Sequence, residues 1–171
     1  MSITDHDGFK RLCERCGITE SYYDISGVYH VASLEAKQAL LQAMGINIQN
    51  DQDIHHNLEK IWLRDWLVIV APVHVYAHSN GEHGIALTLN ASQTGQLIRW
   101  QIIEENGQIH SGDWQFQTHE ASEQCKINDI DHFRFHAPLP VLSNIGYHRL
   151  KLLLADDTNA SALLIATPET C

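Results

Sequence analysis

Cys13-Glu-Arg-Cys16 is the first arrangement in this chain whose residue types and spacing could carry chemistry. Two thiols separated by two residues make either a redox pair or half of a zinc site. A redox pair of this kind follows a strand and opens a helix, whereas here the surrounding pattern is helical on the N-terminal side of the pair. A zinc site needs further ligands, and Cys125 and Cys171 each stand alone. Both thiols therefore read as small core residues on an apolar helix face.

The 12 histidines offer two other groupings: His74, His78 and His83, and the same-parity pair His132 and His136. Neither completes a tetrahedral ligand set, so no metal and no cofactor is expected. Acid–base cleavage of a glycosidic bond needs two carboxyl groups flanking the bond. The carboxylates cluster at Glu104-Glu105, Asp129 to Asp131 and Asp156-Asp157. All three clusters fall at turns or strand ends and read as solvated loop charge, so no catalytic residue is assigned. There is no Gly-rich phosphate loop and no Gly-x-Ser-x-Gly nucleophile elbow.

Aromatic side chains are the remaining candidates, because an exposed ring can stack on a sugar or a partner. A two-residue turn at Asn106-Gly107 would set Arg99 opposite Trp114. Ile98, Trp100 and Ile102 would then face inward, with Trp114 outward beside Arg99. Trp114 and Arg99 are thus the candidate carbohydrate-binding or interdomain contact, as a cation–π pair or as a platform.

The elements that must hold these residues change character midway. Residues 1–65 read as a helical domain with one short hairpin. Thr4 and Asp7 form a capping pair for a first helix, which carries Phe9, Leu12, Cys13 and Cys16 on one face and ends at Gly17. Tyr22 to Val31 is a hairpin around Ser26-Gly27. Ser33 caps a second helix whose apolar face is Ala36, Ala39, Leu40, Ala43 and Met44, closed by Gly45. A third helix starts near Asp51, with Ile54, Leu58, Ile61 and Trp62 on one side.

Residues 66–168 read as seven or eight short strands, beginning with Leu67 to Val70, separated by turns. That pattern predicts an antiparallel immunoglobulin-like β-sandwich. The fold class is therefore α+β, a small helical domain followed by a sandwich.

Composition narrows the partners. The formal net charge is −10, from 11 basic and 21 acidic residues, so there is no basic footprint for nucleic acid or for an anionic membrane surface. No apolar run is long enough to span a bilayer, and the N-terminus lacks the regions of a signal peptide. A cytoplasmic location with free thiols is expected.

Three segments resemble bacterial 4-alpha-glucanotransferases, the amylomaltase or maltodextrin-disproportionating enzymes of glycoside hydrolase family 77. They are Tyr23-Asp24-Ile25-Ser26-Gly27, Gly146 to Leu152, and Ile165 to Cys171. Leu12 to Ile18, His30-Val31 and Leu40 to Gly45 resemble the opening of such enzymes as well. One departure is Thr167-Pro-Glu-Thr-Cys171, where the family more often has Ala-Pro and a basic residue before Cys.

The resemblance implies that the chain is the non-catalytic front of a longer enzyme, with residues 169–171 beginning a linker to a catalytic barrel in the same polypeptide. It implies a parent that transfers α-1,4-glucan segments between maltodextrins by a retaining scheme, whose carboxylates lie in the barrel and match no position here. Maltooligosaccharide or glucan is the implied ligand. A free-standing protein-interaction or carbohydrate-binding module is the alternative.

Overall fold

The computed structural model describes residues 3–77 and 83–169. His78, Thr170 and Cys171, singled out above, lie outside them. The chain divides into two compact units, Met1–Arg64 and Asp65–Cys171.

In the first unit, α1 (His6–Arg15) is capped by Asp5, whose side chain accepts the Gly8 N–H at 2.8 Å. This corrects the expected Thr4 cap: the Thr4 N–H and hydroxyl both bond the Asp51 carboxylate instead. The helix ends as the sequence requires. Gly17 takes φ +75°, and Ile18 N–H reaches back to the Cys13 carbonyl at 2.9 Å.

Strands β1 (Ser21–Tyr23) and β2 (Tyr29–Val31) form the hairpin. Asp24 closes its loop, accepting the N–H groups of Ser26 (2.8 Å) and Val28 (2.9 Å) and bonding His30 Nε2 at 2.8 Å. Helix α2 (Leu34–Ala43) starts at Ser33, whose hydroxyl accepts the Ala36 N–H at 3.2 Å. Its expected apolar face is the exposed one. Leu41 turns inward at 0% exposure, while Ala36, Ala39, Leu40, Ala43 and Met44 face out. Leu41 joins the core of this unit, and Leu40 and Met44 of the expected face stay outside it. Helix α3 (Asp51–Leu67) contributes Ile54 and Ile61 to a core shared with Phe9, Leu12, Cys13, Leu41 and Ile48.

The second unit is the sandwich. One sheet has five strands in the order β3 (Val73–Ala77), β10 (Asn159–Thr167), β9 (Gly146–Leu154), β5 (Ile98–Ile103) and β6 (Ile109–Trp114). The other has β4 (His83–Asn90), β8 (Ile130–Leu139) and β7 (Glu123–Ile127). All pairs are antiparallel except β3 with β10, which is parallel.

The expected strand at Leu67 to Val70 is not one. Leu67 closes α3, and only Val70 bridges to Leu87. Strand β7 was not legible, because Glu-Gln-Cys-Lys-Ile lacks a clear two-residue alternation. Even-numbered residues of the five-stranded sheet point inward. Ile98, Ile102, Leu150, Leu152, Leu154 and Leu164 are buried there against Leu87, Phe135 and Ala137 of the opposing sheet. Each such side chain contributes roughly 1.5–3 kcal/mol by leaving water. Among the described residues no helix is long and apolar enough to cross a membrane.

Candidate functional site

The Arg99–Trp114 pair does not form. The β5–β6 turn closes with Glu104 N–H to the Gln108 carbonyl at 2.8 Å. This is a three-residue loop, Glu105 to Gly107, with Gly107 left-handed at φ +88°. One extra loop residue shifts the ladder by one, so Trp114 lies opposite Ile98 and Arg99 opposite Asp113. A one-residue slip moves a side chain to the other face. Trp114 is therefore inward at 7% exposure, stacked on Trp100 with ring centroids 5.3 Å apart. Arg99 remains exposed on the outer face. The cation–π contact that does form places Arg134 4.1 Å from the centre of the Trp66 ring.

Glu104 corrects the reading of loop charge. It is 2% exposed. Its carboxylate takes His110 Nε2 at 2.6 Å, the Ser143 N–H at 3.1 Å and the Ser143 hydroxyl at 2.5 Å. Burial pushes its pKa up, but the bonds from Ser143 and His110 outweigh that and hold it below the ordinary 4.5.

Its neighbour Glu105 accepts the Tyr147 N–H at 3.0 Å, and Glu105 N–H donates to His148 Nδ1 at 3.2 Å. His148 is 1% exposed and its Nε2–H donates to the Asn144 carbonyl at 3.1 Å, which fixes the tautomer. Gly146 has φ +139°, and a Cβ there would overlap the Glu105 carboxylate. The Gly146-Tyr147-His148 segment is thus a lock between the β5–β6 turn and the start of β9.

The other groupings stay structural. Cys13, Cys16 and Cys125 are free. Burial raises the pKa of each above 9.0, away from a reactive thiolate. His132 and His136 share the outward side of β8. Burial, and then the nearby His136 and His83, lower the pKa of His74. Among the described residues no three His, Cys, Asp or Glu side chains converge to hold a metal ion.

What remains is a surface, the outward side of the five-stranded sheet. Its odd-numbered residues form cross-strand rows. At one end, Asn159, Leu153, Arg99 and Asp113 line up, followed by Ser161, Lys151, Gln101 and Ser111. These two rows border a shallow depression of about 500 Å³. Next comes Val73, Leu163, Arg149, Ile103 and Ile109, and then Val75, Ile165 and Tyr147. The face is polar and hydrogen-bonding at one end and apolar at the other. A second exposed set belongs to the first unit, where Tyr22, Tyr23 and Tyr29 stand out from the β1–β2 hairpin.

Comparison with known proteins bears on what such a surface serves. A family model described as the MalQ N-terminal beta sandwich domain matches residues 69–168. The crystal structure of amylomaltase from Corynebacterium glutamicum superposes with a TM-score of 0.72 at 20% identity, covering 95% of this chain and 23% of that one. The likeness shows the fold, and the chain spans about a quarter of that protein's length. Drosophila OTK extracellular domains 3–5 align over 60% of this chain and 34% of theirs at 9% identity, with a TM-score of 0.27 that carries no argument. No curated protein sequence matches.

Proposed function

The chain belongs to the family of the MalQ N-terminal beta sandwich domain, and on that premise we propose that it is the accessory front of a 4-alpha-glucanotransferase. The full-length parent, in this reading, passes α-1,4-glucan segments between maltodextrins, and its catalytic carboxylates lie in a barrel later in the same polypeptide. The observation that carries the reading is the family match over residues 69–168, which covers nearly the whole sandwich. The internal chemistry is in keeping with a non-catalytic role. The buried carboxylate Glu104 has every bond directed at its own fold. The reading carries a cytoplasmic setting with it, in keeping with the free Cys13, Cys16 and Cys125.

Within that role we assign glucan positioning to the polar end of the outward sheet face. Arg99, Lys151, Gln101 and Asn159 present donors around the depression, at hydrogen-bonding density suited to sugar hydroxyls. Arg99 is the candidate kept from the sequence; buried Trp114 supports the sheet beneath it and does not stack on sugar.

Titrating the 171-residue chain with maltoheptaose, followed by tryptophan fluorescence and by NMR shifts of the β5, β6 and β9 amides, tests this assignment. Saturable shifts confined to those strands, lost in Arg99→Ala/Lys151→Ala, are expected. No shift up to millimolar sugar would remove glucan binding as the local role. Full-length protein without transfer of maltodextrin segments would remove the parent activity.

A further inference from the structure

The apolar end of the same sheet face asks for a cover that the sandwich does not supply. Strand β10 carries the unbroken run Ala162-Leu163-Leu164-Ile165-Ala166. A continuous apolar run is the signature of a strand buried on both faces, not of one with a wet side. The inward half of that run, Ala162, Leu164 and Ala166, is buried. The outward half, Leu163 and Ile165, is only partly buried, and around it Val75 is 59% and Tyr147 60% exposed. Val73 beside Leu163 is exposed as well. A contiguous apolar patch of this kind on a sheet face marks an interaction surface.

Charge identifies the kind of partner. Five Lys or Arg residues lie between Asp65 and Cys171, and three of them, Arg99, Arg149 and Lys151, stand on this face. Among the described outward residues of the strands Asp113 is the only acid, and Glu105 of the β5–β6 loop borders the face at Tyr147. The face is therefore positive in a chain whose formal charge is −10. A second copy docked symmetrically through the apolar rows would bring Arg149 and Lys151 toward their own counterparts, and like charges at an interface disfavour that pairing.

Resting on the function proposed above, we infer that the rows Val73–Leu163–Arg149 and Val75–Ile165–Tyr147 are the docking surface for the catalytic part of the same polypeptide. The docked surface is apolar at its centre and presents carboxylates to Arg149. The polar rows around Arg99 then lie at the rim of the contact, open to glucan.

The test uses Val73→Glu/Val75→Glu. Both residues lie on edge strand β3, where charge is tolerated. In the 171-residue chain the pair is expected to leave the melting temperature unchanged. In the full-length protein, calorimetry is expected to show the single cooperative transition of the wild type split in two, with the sandwich melting as it does alone. Hydrogen exchange at β10 should be slower in full-length wild type than in the 171-residue chain, and this protection should be lost in the variant.

If the 171-residue variant does not fold, Tyr147→Ala/Arg149→Ala removes contact without adding charge and is read in the same way. Superimposable transitions and exchange in full-length wild type and variant would overturn the inference. So would a dimer of the 171-residue chain, seen in the ultracentrifuge, that dissociates on Val73→Glu/Val75→Glu. Absence of maltodextrin transfer by the wild-type full-length protein would instead sink the functional reading and leave the docking result standing.

Discussion

Replacing Glu104 by Gln isolates what one buried carboxylate does for this sandwich. The carboxylate receives three hydrogen bonds, from His110 Nε2, Ser143 N–H and the Ser143 hydroxyl. Together they tie the β8–β9 connection to the β5–β6 hairpin. Hydrogen bonds to a charged group are worth roughly 1.5–3 kcal/mol each, but three on one carboxylate do not add, and its desolvation offsets part of the gain.

Glutamine can keep its carbonyl oxygen on His110 Nε2 and the Ser143 N–H and offer its NH₂ to the Ser143 hydroxyl, so what it removes is the charge that strengthens all three bonds. We expect a loss of about 2 kcal/mol. For a domain of this size that lowers the melting temperature by roughly 8–16 °C.

The pH dependence gives a second, independent reading. The carboxyl is held below its ordinary 4.5, where burial opposes and the Ser143 and His110 bonds prevail. A depressed carboxyl contributes its full stability above the unfolded pKa and loses it as pH falls through the folded one. The difference between wild type and Glu104→Gln should therefore be largest near neutrality and shrink steadily in acid below 4.5. Urea unfolding followed by tryptophan fluorescence across that range measures both. A variant within about 0.5 kcal/mol of wild type at neutral pH, or a difference that persists unchanged in acid, would refute the reasoning.

Three further outcomes follow from the same geometry. Trp114→Ala opens a cavity beside Trp100 and Phe116 and should cost about 3–5 kcal/mol in urea unfolding; Arg99→Ala, on the exposed face, should leave the midpoint nearly unchanged. Gly146→Ala must displace the Glu105 carboxylate from the Tyr147 N–H and strain a positive φ, for a loss of about 1–3 kcal/mol read by the same assay. Among the described residues the buried Tyr76 hydroxyl has no hydrogen-bond partner, and burial together with the Glu104 charge pushes its pKa up to about 12. Tyr76→Phe should therefore leave stability unchanged or raise it by about 1 kcal/mol, measured as the thermal midpoint.

The sequence was most legible where a residue has a local reason. Ser33 as a cap, Gly17 and Gly45 as left-handed helix ends, and the inward stripe Ile98, Trp100 and Ile102 all follow from short-range rules, and the structure has each. It was least legible where two local rules compete. Asn106-Gly107 is the strongest short hairpin signal, yet Gly107 serves as the left-handed third residue of a longer loop. The two-residue turn occurs instead at Asn128-Asp129, both at positive φ, between Ile127 and Ile130.

That single residue of loop length decided Trp114. The outward platform expected beside Arg99 became a core stack, because register is a property of the whole ladder and not of the tryptophan. In α2 the five residues of apparent apolar face, Leu40 and Met44 among them, stay outside the core and Leu41 packs inward, because the neighbouring helices and not the helix's own pattern set its orientation. Glu104 was missed because nothing near it in sequence announces Ser143, its partner 39 residues away.

Two of the segments that carry the family resemblance, Tyr23 to Gly27 and Gly146 to Leu152, share one physical character. Asp24 bonds two backbone N–H groups and His30 to close the β1–β2 hairpin, and Gly27 takes φ +77° so that the loop can return. Gly146 yields room to Glu105, and His148 bridges Glu105 to Asn144. In both, a glycine removes a clash or supplies a conformation, and a titratable side chain has both of its polar atoms bonded within the fold. A catalytic group needs an open valence toward substrate; these have theirs filled by the fold. Their bonds serve the local fold, which makes them markers of the fold and not of its chemistry. The surface proposed for glucan and docking behaves oppositely. Arg99, Lys151, Val75 and Tyr147 have open contacts and only weak local signals, and they become visible as a face only when the strand register lines them up.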